Sequence, residues 1–290
     1  MPSILKKLAA HLLMGSFLLL MPCMPAAASM FSDTTPSPVP TQTAAIATDS
    51  PQPTATAVAG FSLQVVTEEM PNDESPFRVL IYHTHTYEAF TATEAHPYTS
   101  GEKWRTSNMS CNVVALGAYL SELLTQAGVD VTHDTTVFEP PKLSSAYERS
   151  LGMLEERLAN GETYDLYIDL HRDAYSENNG PNTVEIAGED VARLMFLIGK
   201  GTGQTGAGYD AKPDFDKNYT IAQLLTNRLN LQAEALCRPV KVKSGRYNQH
   251  VAPCCVLIEA GNNQNTLEEA LRAMPYLANA ICSLSDGQIE

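Results

Sequence analysis

The sequence predicts an α/β domain, a three-layer arrangement around a largely parallel central sheet, over about residues 75–285. Two observations predict it. Beyond residue 75, short apolar runs alternate with longer stretches of helical periodicity. Three of those runs also end in polar groups suited to chemistry, "YHTHTYE", "DLHRDA" and "LIEAGNNQNT". In a parallel sheet with crossover helices the carboxyl ends of the strands share one edge, and ligands collect there.

The elements follow in order. "RVLIYH" (78–83) reads as a buried strand, and "NVVALGAYLSELLTQAG" (112–128) as a helix closed by Gly128. A strand "VDVTHD" (129–134) precedes a helix over 144–161, and "YDLYIDLH" (164–171) is a strand with a β-branched centre. "TVEIAGEDVARLMFLIGK" (183–200) fits either two strands around a Gly-Glu-Asp turn or a turn leading into one buried strand. After the glycine-rich "GTGQTGAGY" come a helix over 218–237, a core strand "CVLIEAG" (255–261) and a closing helix over 265–284.

Upstream the composition changes. Lys6 and Lys7 precede a stretch from Leu8 to Phe31 with no formal charge. Residues 1–31 therefore read as a cleavable signal or a retained membrane anchor, and either would export the rest of the chain. Residues 32–74, rich in Thr, Pro and Ala, read as a flexible linker to a catalytic domain at 75–290. A net charge of −14 lacks the basic stripe that a nucleic-acid partner requires. Beyond Cys23 the chain carries five cysteines with no CxxC spacing, so cysteine-based zinc is not expected. Vicinal Cys254 and Cys255 read as small core residues.

The strand ends carry the candidate chemistry. His85 and Glu88 form an H-x-x-E pair, and His171 is the natural third ligand of a Zn2+ site that leaves a position for water. Glu259, closing "CVLIE", would be the general base. His83 competes with His85, because residues i and i+2 of a strand share a face. His85 is preferred for its nearness to the turn and its register with Glu88, leaving His83 to support the site or face the substrate. Asp169 shares the parity of His171 and would orient it, with Asp173 as the alternative. Arg172 could hold a substrate carboxylate or stabilise an oxyanion. His133, His96 and His250 read as structural or loop residues. The glycine-rich loop lacks the Gly-Lys-Ser/Thr ending of a phosphate loop, and no G-x-S-x-G nucleophile motif occurs.

The segments "LIYHTHTYEAF", "YIDLHRDA", "GRYNQHVAPCCVLIEAG" and "NQNTLEEALRAM" resemble, in order and spacing, the stage II sporulation protein P family, from about Val79 to Ala280. The resemblance implies a fold similar to zinc-dependent N-acetylmuramoyl-L-alanine amidases and zinc carboxypeptidases. It implies cleavage of the bond between muramic acid and the stem peptide, with endopeptidase activity on cross-links, during engulfment of the forespore. A lytic transglycosylase, stage II sporulation protein D, is the implied partner, and the membrane or cell wall the implied location. By motif, the zinc histidines fall in "HTH" and on His171, and the catalytic glutamate on Glu259. Tyr247, Asn248 and Gln249 fall on a substrate-binding loop. An exported carboxypeptidase-type zinc peptidase and a non-catalytic wall-binding module are the alternatives to be distinguished.

Overall fold

Arg78–Tyr82 (β1), Leu166–His171 (β3) and Cys255–Ala260 (β8) form the centre of a six-stranded sheet and run parallel to one another. The computed structural model describes residues 76–99, 104–174, 178, 180–206 and 208–285. The expected export segment (1–31) and linker (32–74) lie outside the described residues. Among the described residues no helix is long and apolar enough to cross a membrane.

The strand order is β2-β1-β3-β8-β6-β7, where β2 is Asp130–His133, β6 Leu194–Gly199 and β7 Lys241–Lys243. All neighbours pair in parallel except β6 with β8, so a largely parallel mixed α/β fold is what the sequence forms. Helix α1 (Val113–Gln126) leads from β1 to β2, and α2 (Ala146–Ala159) leads from β2 back across β1 to β3. Reversing the lateral direction of a right-handed crossover moves the helix to the other face of the sheet. The core divides accordingly. Val79, Ile81, Ile168, Leu170, Ile258 and Phe196 pack with α1, with α3 (Phe215–Gln232) and with α4 (Leu267–Ser285). Leu80, Tyr82, Tyr167 and Cys255 pack on Leu154 of α2. The order also reverses between β1 and β3, which marks the place where such sheets open a crevice.

Local chemistry sets the ends. Asn112 caps α1 by accepting a hydrogen bond from the Val114 amide at 2.9 Å, and Gly128 leaves the helix with φ 89°. Two differences from expectation stand out. Residues 183–200 form three strands, a hairpin of β4 (Thr183–Ile186) and β5 (Glu189–Ala192) followed by β6. The hairpin turns at Ala187 and Gly188, with φ 54° and 82°, ahead of the expected Gly-Glu-Asp turn, because two consecutive positive φ angles suit a two-residue hairpin. The three-residue β7 carries too few apolar positions for any periodicity to reveal it.

Candidate active site

β1 stops at Tyr82, and a turn over Thr84–Tyr87 follows at once. Asp169 fixes that turn from the neighbouring strand, accepting from the Thr84 amide at 2.8 Å and from Thr84 Oγ1 at 2.7 Å. The Glu88 amide donates to the His85 carbonyl at 3.1 Å and closes the turn. The extended parity of β1 is thereby broken, and His85 swings to the α2 side of the sheet. There its ring meets those of His171 and Tyr147 edge-on, at centroid distances of 5.3 and 5.4 Å.

On β3, alternation sends Tyr167, Asp169 and His171 to the α2 side. His171 Nδ1 donates to Glu88 Oε2 at 3.2 Å, and its Nε2 lies 2.7 Å from Asp169 Oδ1. Burial alone would lower the His171 pKa, but the Asp169 and Glu88 carboxylates raise it well above the ordinary histidine value. Glu88 moves the other way. Burial opposes its ionisation, yet His171, Arg172 and His85 hold it down at about 2. Burial and the neighbouring His171 lower His85 to about 4.

Glu259 stands directly across from His171 in the β3–β8 register. It is 8% exposed, and its Oε2 has no hydrogen-bond partner. Burial, together with the Glu88 and Asp173 charges, raises its pKa to about 8 against the pull of His171 and Arg172. A carboxyl poised near neutrality beside two imidazoles and a second carboxylate is chemically able to accept and return a proton.

Sequence-derived site residues thus separate into two groups. His85, Glu88, His171 and Glu259 come together, with Tyr247 nearby through its edge contact with Tyr147 at 5.8 Å. Four others do not present their side chains there. His83 is fully buried against α1; its Nδ1 lies 2.8 Å from the Leu170 carbonyl and its Nε2 2.9 Å from His133 Nε2, so it neither faces a substrate nor competes for the cluster. Arg172 is buried, with its guanidinium donating to the carbonyls of Ala89, Asp173 and Trp104, and its charge reaches Glu88 and Glu259 from there. Asn248 donates to the Tyr147 carbonyl and to Ser150 Oγ, tying α2 to the loop before β8. Gln249 brackets β6, accepting from the Gly199 amide and donating to the Leu197 carbonyl, each at 2.8 Å. Asp173, the alternative partner for His171, pairs instead with Arg238 at 2.6 Å.

Sequence reasoning missed Tyr147 and the Glu139–Arg105 ion pair, with Glu139 Oε1 3.6 Å from His85 Nδ1. Glu139 follows the carboxyl end of β2, so the edge rule that found the other carboxylates could have reached it. Tyr147 sits in the first turn of an amphipathic helix, and nothing in its sequence neighbourhood distinguishes it.

Among the described residues no group of three or more His, Cys, Asp or Glu is arranged to hold a metal ion. The donor chemistry nonetheless fits zinc. His85 Nδ1 is buried without a hydrogen-bond partner, and His171 Nδ1 faces Glu88 while its Nε2 is taken by Asp169. Two ligands of a tetrahedral zinc, each roughly 2.0–2.2 Å from it, stand roughly 3.3–3.6 Å apart, close to the 3.2 Å between His171 Nδ1 and Glu88 Oε2. Protonated His171 supplies a positive charge between Glu88 and Asp169, which a cation held there would supply instead.

Fold and site together define an α/β domain with a His–Glu–His cluster and a buried glutamate at the carboxyl edge of its parallel strands. Residues 33–282 match the family described as Stage II sporulation protein P (SpoIIP), and the chain belongs to that family. Stage II sporulation protein P of Bacillus subtilis (strain 168) is 27% identical over 219 residues, covering 71% of this chain and 50% of that protein. The chain thus spans about half the length of the curated relative it matches. Among solved structures it is similar to the N-acetylmuramoyl-L-alanine amidase AmiC2 of Nostoc punctiforme, at 14% identity and TM-score 0.40, covering 71% of this chain and 93% of that one. It is also similar to the CwlD amidase of Clostridioides difficile, solved with the GerS lipoprotein, at 15% identity and TM-score 0.43, covering 70% and 94%.

Proposed function

We propose that the chain is an exported, zinc-dependent peptidoglycan hydrolase of sporulation that cleaves the N-acetylmuramoyl-L-alanine amide bond. Endopeptidase action on stem-peptide cross-links, work in engulfment beside the lytic transglycosylase stage II sporulation protein D, and tethering through the N-terminal segment belong to the same reading. Family membership supports it, and so does one observation above the others. Glu259 is a buried carboxyl without a partner for Oε2, set opposite His171 in register.

His85, Glu88 and His171 would hold the zinc, which would supply a Lewis acid for a carbonyl oxygen and lower the pKa of water. This chain's own residues do the rest. Asp169 fixes the His171 ring, and Asp169 is itself fixed by Thr84. Glu259 takes a proton from the water that attacks the amide carbon and delivers it to the departing amine nitrogen. A carboxyl with pKa about 8 can do both near neutral pH.

The test is digestion of purified peptidoglycan, read by mass spectrometry of the soluble products. Wild type should release intact stem peptide from glycan. Glu259→Gln should lower that release by about 10²–10⁴-fold with the fold unchanged, and chelation should abolish it until zinc is restored. Full activity in both conditions, or trimmed peptides as the sole product, would reject the reading.

A further inference from the structure

Beside the cluster, on the α2 side, a cleft of about 300 Å³ is bounded by Tyr147, Tyr209, Tyr247, Gln204, Glu148 and Arg246. It joins the reacting centre through Tyr147, whose ring touches His85 on one side and Tyr247 on the other. Tyr247 is built into place. Its φ is 49°, a left-handed conformation costly for a bulky residue, and its ring is pressed against two glycines. A Cβ on Gly199 would come within 2.8 Å of Tyr247 Cδ2, and one on Gly245 within 2.7 Å of Cε2. Two small residues and a strained backbone thus hold an aromatic ring at the mouth of the site.

The aromatic and polar lining of the cleft selects among substrate parts. Arg246 lies over the Tyr209 ring at 4.7 Å and donates to the Gly208 carbonyl at 2.7 Å. Its guanidinium is held against the wall of the cleft and keeps its positive charge, which Glu148 balances with a negative one. A lining of balanced charge offers the free carboxylates of a stem peptide no net electrostatic attraction. An N-acetylated glycan is uncharged where its lactyl groups are amide-linked. Sugar rings also present a C–H face to aromatic rings and hydroxyls to planar polar groups such as Gln204, and the tyrosines offer both an apolar body and a polar tip. The volume lies at the lower end of small-molecule pockets, which start at about 300 Å³. Chemistry fixes the location as well, because the scissile amide hangs from a sugar ring by one short acyl group.

We propose that this tyrosine-lined cleft is a glycan subsite that seats an N-acetylated amino sugar adjoining the scissile bond, while the stem peptide leaves on the other side. The proposal rests on the reading of the chain as a peptidoglycan hydrolase.

The test is a ligand-observed NMR titration of the full chain with N-acetylchitotetraose and, separately, with free L-alanyl-γ-D-glutamyl-diaminopimelate. The tetrasaccharide should bind, and the tripeptide should not displace it. Tyr209→Ala should weaken saccharide binding about tenfold, the loss of one ring face. Ser144→Trp, which fills the cleft, should abolish binding, and Gln204→Ala, an exposed loop change, should weaken it. Wild type that binds no saccharide, binding unchanged in all three variants, or displacement by the tripeptide overturns the subsite. Glu259→Gln separates the two claims, since it should lose turnover and keep saccharide affinity. Saccharide binding by a wild-type protein that releases no stem peptide would sustain the subsite and reject the hydrolase.

Discussion

Glu259 is placed where a carboxyl is least comfortable, buried among Glu88 and Asp173 with Oε2 unpartnered. Its native pKa of about 8 exceeds its ordinary value of 4.5, so the native state binds the proton more tightly than the unfolded chain. The associated stability is fully present below pH 4.5 and is lost as pH rises through 8. Glu259→Gln cannot ionise, so the metal-free variant should be more stable than wild type above pH 8, by about a few kcal/mol. The gap should shrink through the window between the two pKa values and vanish below pH 4.5. Urea midpoints of metal-free protein across that range measure it, and a gap independent of pH would refute the assignment. Asp169→Asn addresses the neighbouring imidazole, and zinc affinity read by chelator competition should fall about 10–100-fold. At this scale the sequence was legible wherever strand alternation persisted. His171, Asp169 and Glu259 sit on regular strands and land together. His83 does not, because the parity argument assumed an extended chain through His85, whereas Asp169 anchors a turn that starts at Thr84. The side-chain commitments of Arg172, Asn248 and Gln249 depend on carbonyls far away in sequence and leave no local trace.

Helix α1 approaches the sheet so closely at Gly117 that a Cβ there would lie 2.5 Å from both His83 Nε2 and His133 Nε2. Glycine is required for the space it leaves to the paired imidazoles. Gly117→Ala should therefore destabilise the protein by about 1–3 kcal/mol, the usual range for overpacking a filled core, as read from urea unfolding. A neutral or stabilising effect, which helix propensity alone would predict, would show that α1 can shift. Elements with long hydrophobic periods, α1, β3, β8 and α4, were legible because the same residues that set the period fill the core. β6 was obscured by lying directly behind a hairpin of similar composition. Its antiparallel pairing with β8 is a tertiary outcome that no local pattern encodes.

For the molecule as a whole, the parallel topology was legible and the place of the site followed from it. The order reverses between β1 and β3; the turn after β1 supplies His85 and Glu88, and the last residue of β3 is His171. The same edge gathers Glu88, Glu139, Asp169 and Glu259, all buried. That concentration of carboxylates in a chain of net charge −14 makes the folded state responsive to any cation it binds. Ligand that binds the native state alone stabilises it by about 2.7 kcal/mol at a hundredfold excess over Kd. Zinc added to metal-free full chain should accordingly raise the thermal midpoint. Which imidazole belongs to the site decides how variants respond. His85→Ala and Glu88→Gln should lose most of the zinc-dependent rise. His83→Ala should lower the midpoint by opening a cavity beside α1, yet keep the full rise on adding zinc. The reverse pattern, with the zinc response lost in His83→Ala and kept in His85→Ala, would return the first ligand position to His83 and require the turn after β1 to rearrange.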